Sequence, residues 1–346
     1  MALKKKFKDW FDSNDYYNPQ KAPIDLMKER EFVLTFCDNN GDALQWTDFQ
    51  FRRDKEIVLA AVSNNGSSLK YAHSSLKNDL EIVLTAVKQD GSSLEYASDV
   101  LKANEDVVRT AIENTKSAFQ YAAEKFRFNE SFVKMALENE SGWGNILQYT
   151  SPEIRNNKSI VLISVRQDGS SLEYASDELK KSRDIVTEAI NQSGNALNYA
   201  HSSLKNDLEI VLIAVKQDGR SLEYASDELK ANEDVVRTAI ENTKSAFQHA
   251  AEKFRFNESF VKMALENESG WGNILEYTSP EIRNNKSIVL ISVRQDGSSL
   301  EYASDELRSN IDVILNAVNQ SSYSKKYINK SFFKSNLAEI NELILE

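Results

Sequence analysis

The side chains of this 346-residue chain that could do chemistry are few and scattered. His73, His201 and His249 are the only histidines and Cys37 the only cysteine. A metal site needs several ligands converging on one point. These histidines lie far apart, and His73 and His201 sit in near-identical surroundings, so surface histidine is the expectation. Asp90-Gly91-Ser92 and its copies lack the alternating acids and final glutamate of a calcium loop. The chain has no phosphate loop, no Gly-x-Ser-x-Gly and no His-Glu-x-x-His. The residue types therefore predict no catalytic residue, no cofactor and no metal.

Recognition is the chemistry that is left. Trp143 stands in Gly142-Trp143-Gly144-Asn145 and Trp271 in Gly270-Trp271-Gly272-Asn273. A tryptophan between glycines can anchor a partner, or it can cover a gap between neighbouring segments. A second set is Leu84, Leu162, Leu212 and Leu290, which share one register of a repeating helix and vary in neighbours. They are either a partner-facing patch or the edge of a broad core.

The elements that would position these residues follow from an internal repeat. An aromatic or histidine ahead of Ala, Thr or Ile recurs at Tyr71, Tyr96, Tyr121, Tyr149, Tyr174, Tyr199, Tyr224, His249, Tyr277, Tyr302 and Tyr327. The step is 25 residues, except for 28 at Tyr121–Tyr149 and His249–Tyr277. Eight residues after the aromatic stands Asp79, Asn104, Asn129, Asn157, Ser182 or an equivalent, a preferred helix N-cap. In the run that follows, Ile82, Val83, Ala86 and Val87 share one helical face. Gly91 and its equivalents are expected to end this ten-residue helix as left-handed C-caps. A brief second helix around Leu94–Tyr96 and a single turn complete the unit. Pro152 and Pro280 follow Ser151 and Ser279 at that turn, the order of an N-cap and first helical residue.

The predicted fold is all-α: an α-solenoid, a superhelical stack of about eleven 25-residue units, each with one ten-residue helix, a short helix and a turn. One unit alone cannot offset the cost of ordering its backbone, about 1–2 kcal/mol per residue. Residues 1–24 are expected as an N-terminal cap, 25–321 as the array, and 322–346 as a closing helix with Leu337, Ile340, Leu343 and Ile344 on one side. The basic-aromatic start around Lys4–Phe11 could instead touch anionic membrane. Residues 71–179 match 199–307 at an offset of 128, with five differences: Thr85/Ile213, Ser92/Arg220, Val100/Glu228, Tyr121/His249 and Gln148/Glu276.

The motif Gly-x-x-Leu-x-Tyr-Ala-Ser-x-x-Leu-Lys-x-Asn/Asp-x-Glu-Ile-Val-Leu-x-Ala-Val is carried well by 66–87, 91–112, 194–215 and 219–240. It resembles the bacterial repeat family called domain of unknown function 4116, over roughly residues 28–320. Units beginning at Lys116 and Lys244 depart from it, with Phe for Leu and Ile and without the glycine. The resemblance implies an array of short helices and no activity.

Lys+Arg of 42 against Asp+Glu of 53 gives a net charge of −11. That balance, and an expected lack of a Lys/Arg stripe, argue against a nucleic-acid partner, including a one-base-per-unit single-strand reader. No apolar run is long enough to span a bilayer, and the start lacks a signal-peptide core. A single cysteine fits a reducing compartment. The functional expectation is a cytoplasmic, non-enzymatic scaffold binding a protein or peptide along one face. The alternative is a bacterial factor exported without a leader to act on a host protein. Oligomeric state is not legible in the sequence.

Overall fold

A computed structural model of the chain describes residues 2–12, 22–139, 145–269 and 272–335. Trp143 and Trp271, and the apolar positions from Leu337 to Ile344, lie outside the described residues. The chain forms two compact bodies, residues 1–164 and 165–346. Each is an all-α solenoid stack of the repeat, with no strand among the described residues.

One unit shows how the local sequence sets the local structure. The Asp79 carboxylate accepts the N–H groups of Glu81 and Ile82 at 3.1 and 3.2 Å, satisfying orphan donors of the helix Leu80–Gln89. That helix buries Ile82, Val83, Ala86 and Val87 completely. Asp90 is extended, and its side chain accepts the Ser92 N–H at 3.0 Å, opening a six-residue 3₁₀ helix, Gly91–Tyr96. Ser98 then caps the turn Asp99–Lys102, and Asn104 opens the next main helix. The brief second helix of the sequence pattern is thus 3₁₀. The turn is α-helical at Asp99–Lys102 and 3₁₀ at Leu76–Asn78. Ser151 and Ser279 cap the turns opened by Pro152 and Pro280, as their order predicts.

The caps hold with one exception. Ser182 accepts no helix N–H; its hydroxyl is bonded to the Asp184 carboxylate instead. Successive units are joined by a recurring backbone bond. Ser98 N–H donates to Lys77 C=O and Ala123 N–H to Lys102 C=O, each at 2.9 Å. In the second body Ser226 repeats the bond to Lys205 at 2.9 Å and Ser304 to Arg283 at 3.0 Å.

The glycines correct the sequence reading. None of Gly66, Gly91, Gly169, Gly194, Gly219 and Gly297 is left-handed; the residue after the main helix is extended instead, with φ −147° at Asp90. Glycine is required there by close approach. A Cβ on Gly91 would lie 2.3 Å from the Ala111 carbonyl oxygen of the next unit, and one on Gly219 2.3 Å from that of Ala239. Among the described residues Gly272, with φ +127° and open space around it, is the position where backbone conformation itself favours glycine.

At this contact a side-chain amide completes the joint. Asn114, the last residue of its helix, accepts the Gly91 N–H on Oδ1 at 2.7 Å and donates Nδ2–H to the Lys88 C=O at 2.9 Å. Gln89 does the same for Gly66 and Asn64, at 2.6 and 3.3 Å. In the second body Asn242 joins Gly219 and Lys216, at 2.7 and 2.9 Å. One carboxamide thus pairs a glycine N–H and a helix-end carbonyl of the preceding unit.

The basic-aromatic start folds as a helix, Ala2–Asp12, and its buried Trp10 packs edge-on to Phe32 at 5.3 Å and Phe36 at 4.9 Å. These are core residues of the first main helix, Arg30–Asn39.

Gly91→Ala should destabilise the protein by about 1–3 kcal/mol, because backbone must move to admit the methyl group. Asn114→Ala should cost about 1–3 kcal/mol by leaving the part-buried Gly91 N–H unpaired. Asn114→Gln should be close to neutral, since Gln89 fills that role one unit earlier. Urea unfolding midpoints of the three variants check this order.

Candidate partner-binding surface

Successive main helices pack side by side, and the residue opening each helix sets the character of the surface. In Lys55–Asn64 that residue is Lys55. Its Nζ lies 2.8 Å from both the Asp79 and the Glu81 carboxylate of the next unit. Arg183 repeats this with Asp207 and Glu209 in the second body. These pairs raise the pKa of Lys55, chiefly through the hydrogen bond it donates to Asp79 and then that to Glu81. Burial alone would raise Asp79, but Lys55 and the helix N–H of Ile82 outweigh it and the net shift is downward.

One unit later the opening residue is Leu80, or Leu208 in the second body, and both side chains are exposed, at 46% and 45%. Each overhangs a shallow hollow. The first is lined by Leu80, Leu84 and Thr85 with Lys55, Asp79, Glu81 and Lys88 around it. The second is lined by Leu208, Leu212 and Ile213 with Arg183, Asp207, Glu209 and Lys216 around it. Leu84 and Leu212 are half-buried, between the two readings their register allowed.

Between the helices Glu105–Asn114 and Glu130–Glu138 a further open hollow is lined by Arg109, Glu130, Ser131, Lys134, Met135 and Glu138, without leucines. Arg109 lies over the Phe132 ring at 5.1 Å, with Nη1 3.3 Å from Met135 Sδ and Nη2 2.9 Å from Glu105 Oε1. Arg237 does the same over Phe260, at 5.1 Å. Leu162 and Leu290 share the register of Leu84 and are half-buried too, but their helices open with Lys158 and Lys286 rather than leucine. The candidate leucines thus fall into two environments.

The exposed Leu80 and Leu208 were missed in the sequence. The signal was present: the other helix-opening positions carry charge, apart from Ile311.

The sequence reading of no Lys/Arg stripe also needs correction. Lys77, Lys102, Arg127 and Arg155 recur once per unit on the turn, as do Lys205, Lys230, Arg255 and Arg283 in the second body. Several heads are tied to backbone carbonyls. Lys77 Nζ reaches Lys70 C=O at 2.8 Å and Arg127 Nε reaches Ala122 C=O at 2.9 Å. Arg155 Nη2 reaches Gln148 C=O at 2.6 Å. Burial pushes the Lys77 amine below its ordinary pKa, and Lys102 adds to the effect. These side chains close the open carbonyls of the 3₁₀ helices.

The histidines stay apart. His73 and His201 each bond a serine of their own turn through Nδ1, at 2.8 Å to Ser75 and Ser203. His249 is half-buried, which depresses its pKa, with Glu223 4.0 Å away opposing the shift. Among the described residues no group of three or more His, Cys, Asp and Glu could hold a metal. Cys37 is buried, and burial pushes its thiol up to about 12. No described helix is long and apolar enough to cross a membrane.

Units of main helix, 3₁₀ helix and turn, stacked through an apolar interior, define an all-α helical-repeat protein. The chain belongs to the family described as domain of unknown function 4116, which it matches over residues 54–102, 141–180, 182–230, 232–283, 269–308 and 285–333. Matches starting at 54, 182, 232 and 285 begin on a main-helix N-cap position. No curated protein and no solved structure matches the chain.

Leu84→Ala should cost much less stability than Ile82→Ala, which removes a fully buried side chain and should cost about 2–5 kcal/mol. Denaturant unfolding of the two variants tests this. Equal losses would place Leu84 in the core and remove it from the surface.

Proposed function

We propose that this protein is a non-enzymatic scaffold that binds a protein or peptide partner along the face made by its main helices. The observation that carries the reading is the pair of open hollows at Leu80/Leu84 and Leu208/Leu212. They stand at the same register of the two copies, and each joins exposed apolar surface to a charged rim. Apolar surface framed by charge is the ordinary anatomy of an interaction site. The duplication of 71–179 in 199–307 fits the same reading. It gives nearly every constellation in that span twice, which suits multiple binding better than a single reaction centre.

The test is position-specific photocrosslinking in the producing cell. A photoreactive phenylalanine replaces Leu84 or Leu212 on the helix face, or the exposed Glu95 or Glu223 on the 3₁₀ helices. Discrete adducts are expected from the two helix positions and not from the glutamate positions. Adducts from all four alike, or from none, would contradict the reading.

A further inference from the structure

We infer that the chain carries two equivalent docking sites for one kind of partner segment, and that the second binds more tightly than the first. The segment is a short amphipathic helix with two apolar side chains one turn apart and a carboxylate one turn further along. This rests on the scaffold reading above and names the partner's chemistry.

The argument begins with spacing. Leu80, Leu84 and Lys88 stand at i, i+4 and i+8 on one helix, so they form one row along its surface. Leu208, Leu212 and Lys216 form the same row in the second body. Both rows border a hollow that reaches the preceding main helix, at Lys55 in one and at Arg183 in the other. A groove with apolar positions one turn apart is what an amphipathic helix fills with its own i and i+4 side chains.

Charge then selects the third contact. Lys55 and Arg183 are each held by two carboxylates of the next unit. Asp79 and Asp207 are further committed to capping their own helices. Lys88 and Lys216 form no ion pair among the described residues. The cation at the end of each row is therefore the charge left for a partner, and a carboxylate complements it. The open hollow at Arg109 is lined instead by Glu130, Ser131, Lys134, Met135 and Glu138, and so lacks the leucine row that Leu80 and Leu208 begin.

The two sites differ in two lining residues: Lys55 against Arg183, both cations already held by two carboxylates, and Thr85 in the first against Ile213 in the second. Exchanging the hydroxyl for a methyl group and adding a methylene makes the second hollow more apolar. For a ligand that buries an alkyl side chain there, this corresponds to roughly tenfold in affinity.

The experiment pans a library of helical peptides with randomised surface positions on the full chain, with counter-selection against Leu84→Glu/Leu212→Glu. Selected peptides are then titrated by calorimetry. The expected peptides carry an apolar pair at i and i+4 and an acid one turn beyond. They should bind at two sites per chain, about tenfold apart in affinity. Leu84→Glu should remove the weaker site and Leu212→Glu the tighter one, and Thr85→Ile should bring the two affinities together. Lys216→Glu should weaken the tighter site, and a peptide with lysine in place of its acid should restore it. That rescue separates charge recognition from loss of folding. One site per chain, peptides without the apolar–acidic pattern, or equal binding to the double variant would each overturn the inference. With any of these outcomes, adducts that still form in cells from positions 84 and 212 would leave the scaffold reading standing while the two-site inference falls.

Discussion

The contact between a glycine and the alanine carbonyl of the following unit sets the terms for the rest of the structure. At Gly66, Gly91, Gly219 and Gly297 the next main helix comes so near that a Cβ would sit 2.3 or 2.4 Å from its carbonyl oxygen. That approach brings the Asn or Gln at the helix end within reach of the glycine N–H. Ala86, Ala111, Ala239 and Ala317, whose carbonyls meet the glycines, are fully buried. Backbone groups that a helix end would otherwise leave to water are paired across the joint. Where the following unit has 28 residues, the glycine is absent. Lys116 and Lys244 take its place, and the next main helices, Glu130–Glu138 and Glu258–Glu266, are one residue shorter. The amides of Asn139 and Asn267 still reach the equivalent carbonyls, those of Glu113 and Glu241, at 3.1 and 3.0 Å, and also bond those of Ile112 and Ile240. Loss of the glycine and lengthening of the next unit occur together in both copies.

Much of this was legible in the residues because it is local. A capping Asp or Asn acts on N–H groups two or three residues away, and Ile82, Val83, Ala86 and Val87 declare a buried face by their spacing. The glycine was misread because a left-handed C-cap and a close approach both place glycine just past a helix, and only the second depends on another unit. The amide of Asn114 was invisible for the same reason, since its partner Gly91 lies 23 residues away. Leu84 and Leu162 share their register and differ one turn back on their own helix, in the residue that opens it, Leu80 against Lys158. The Lys/Arg row escaped notice because its members sit singly on separate turns.

The two copies within the chain form a small natural experiment on which positions the stack holds fixed. All five differences fall at half-buried or exposed positions, and none in the buried interior. Val100 is 69% exposed, while its counterpart Glu228 accepts a hydrogen bond from Asn206 at 3.1 Å. Thr85 and Ile213 differ at a hollow, and Tyr121 and His249 on the aromatic row. A close-packed interior tolerates little change in volume, whereas a surface can alter one contact without disturbing its neighbours. The positions free to change between the copies thus lie outside the buried interior, and the joints beneath stay the same.

Hydrogen exchange at single amides tests the joint most directly. The Gly91 and Gly219 N–H groups pair with a side-chain amide of the next unit and lie outside any regular helix ladder. Resolved by NMR, they should exchange as slowly as the main-helix amides of Val87 and Val215. Exchange at the rate of exposed turn residues would mean that the units are not held by this contact, and the account of their spacing would fail.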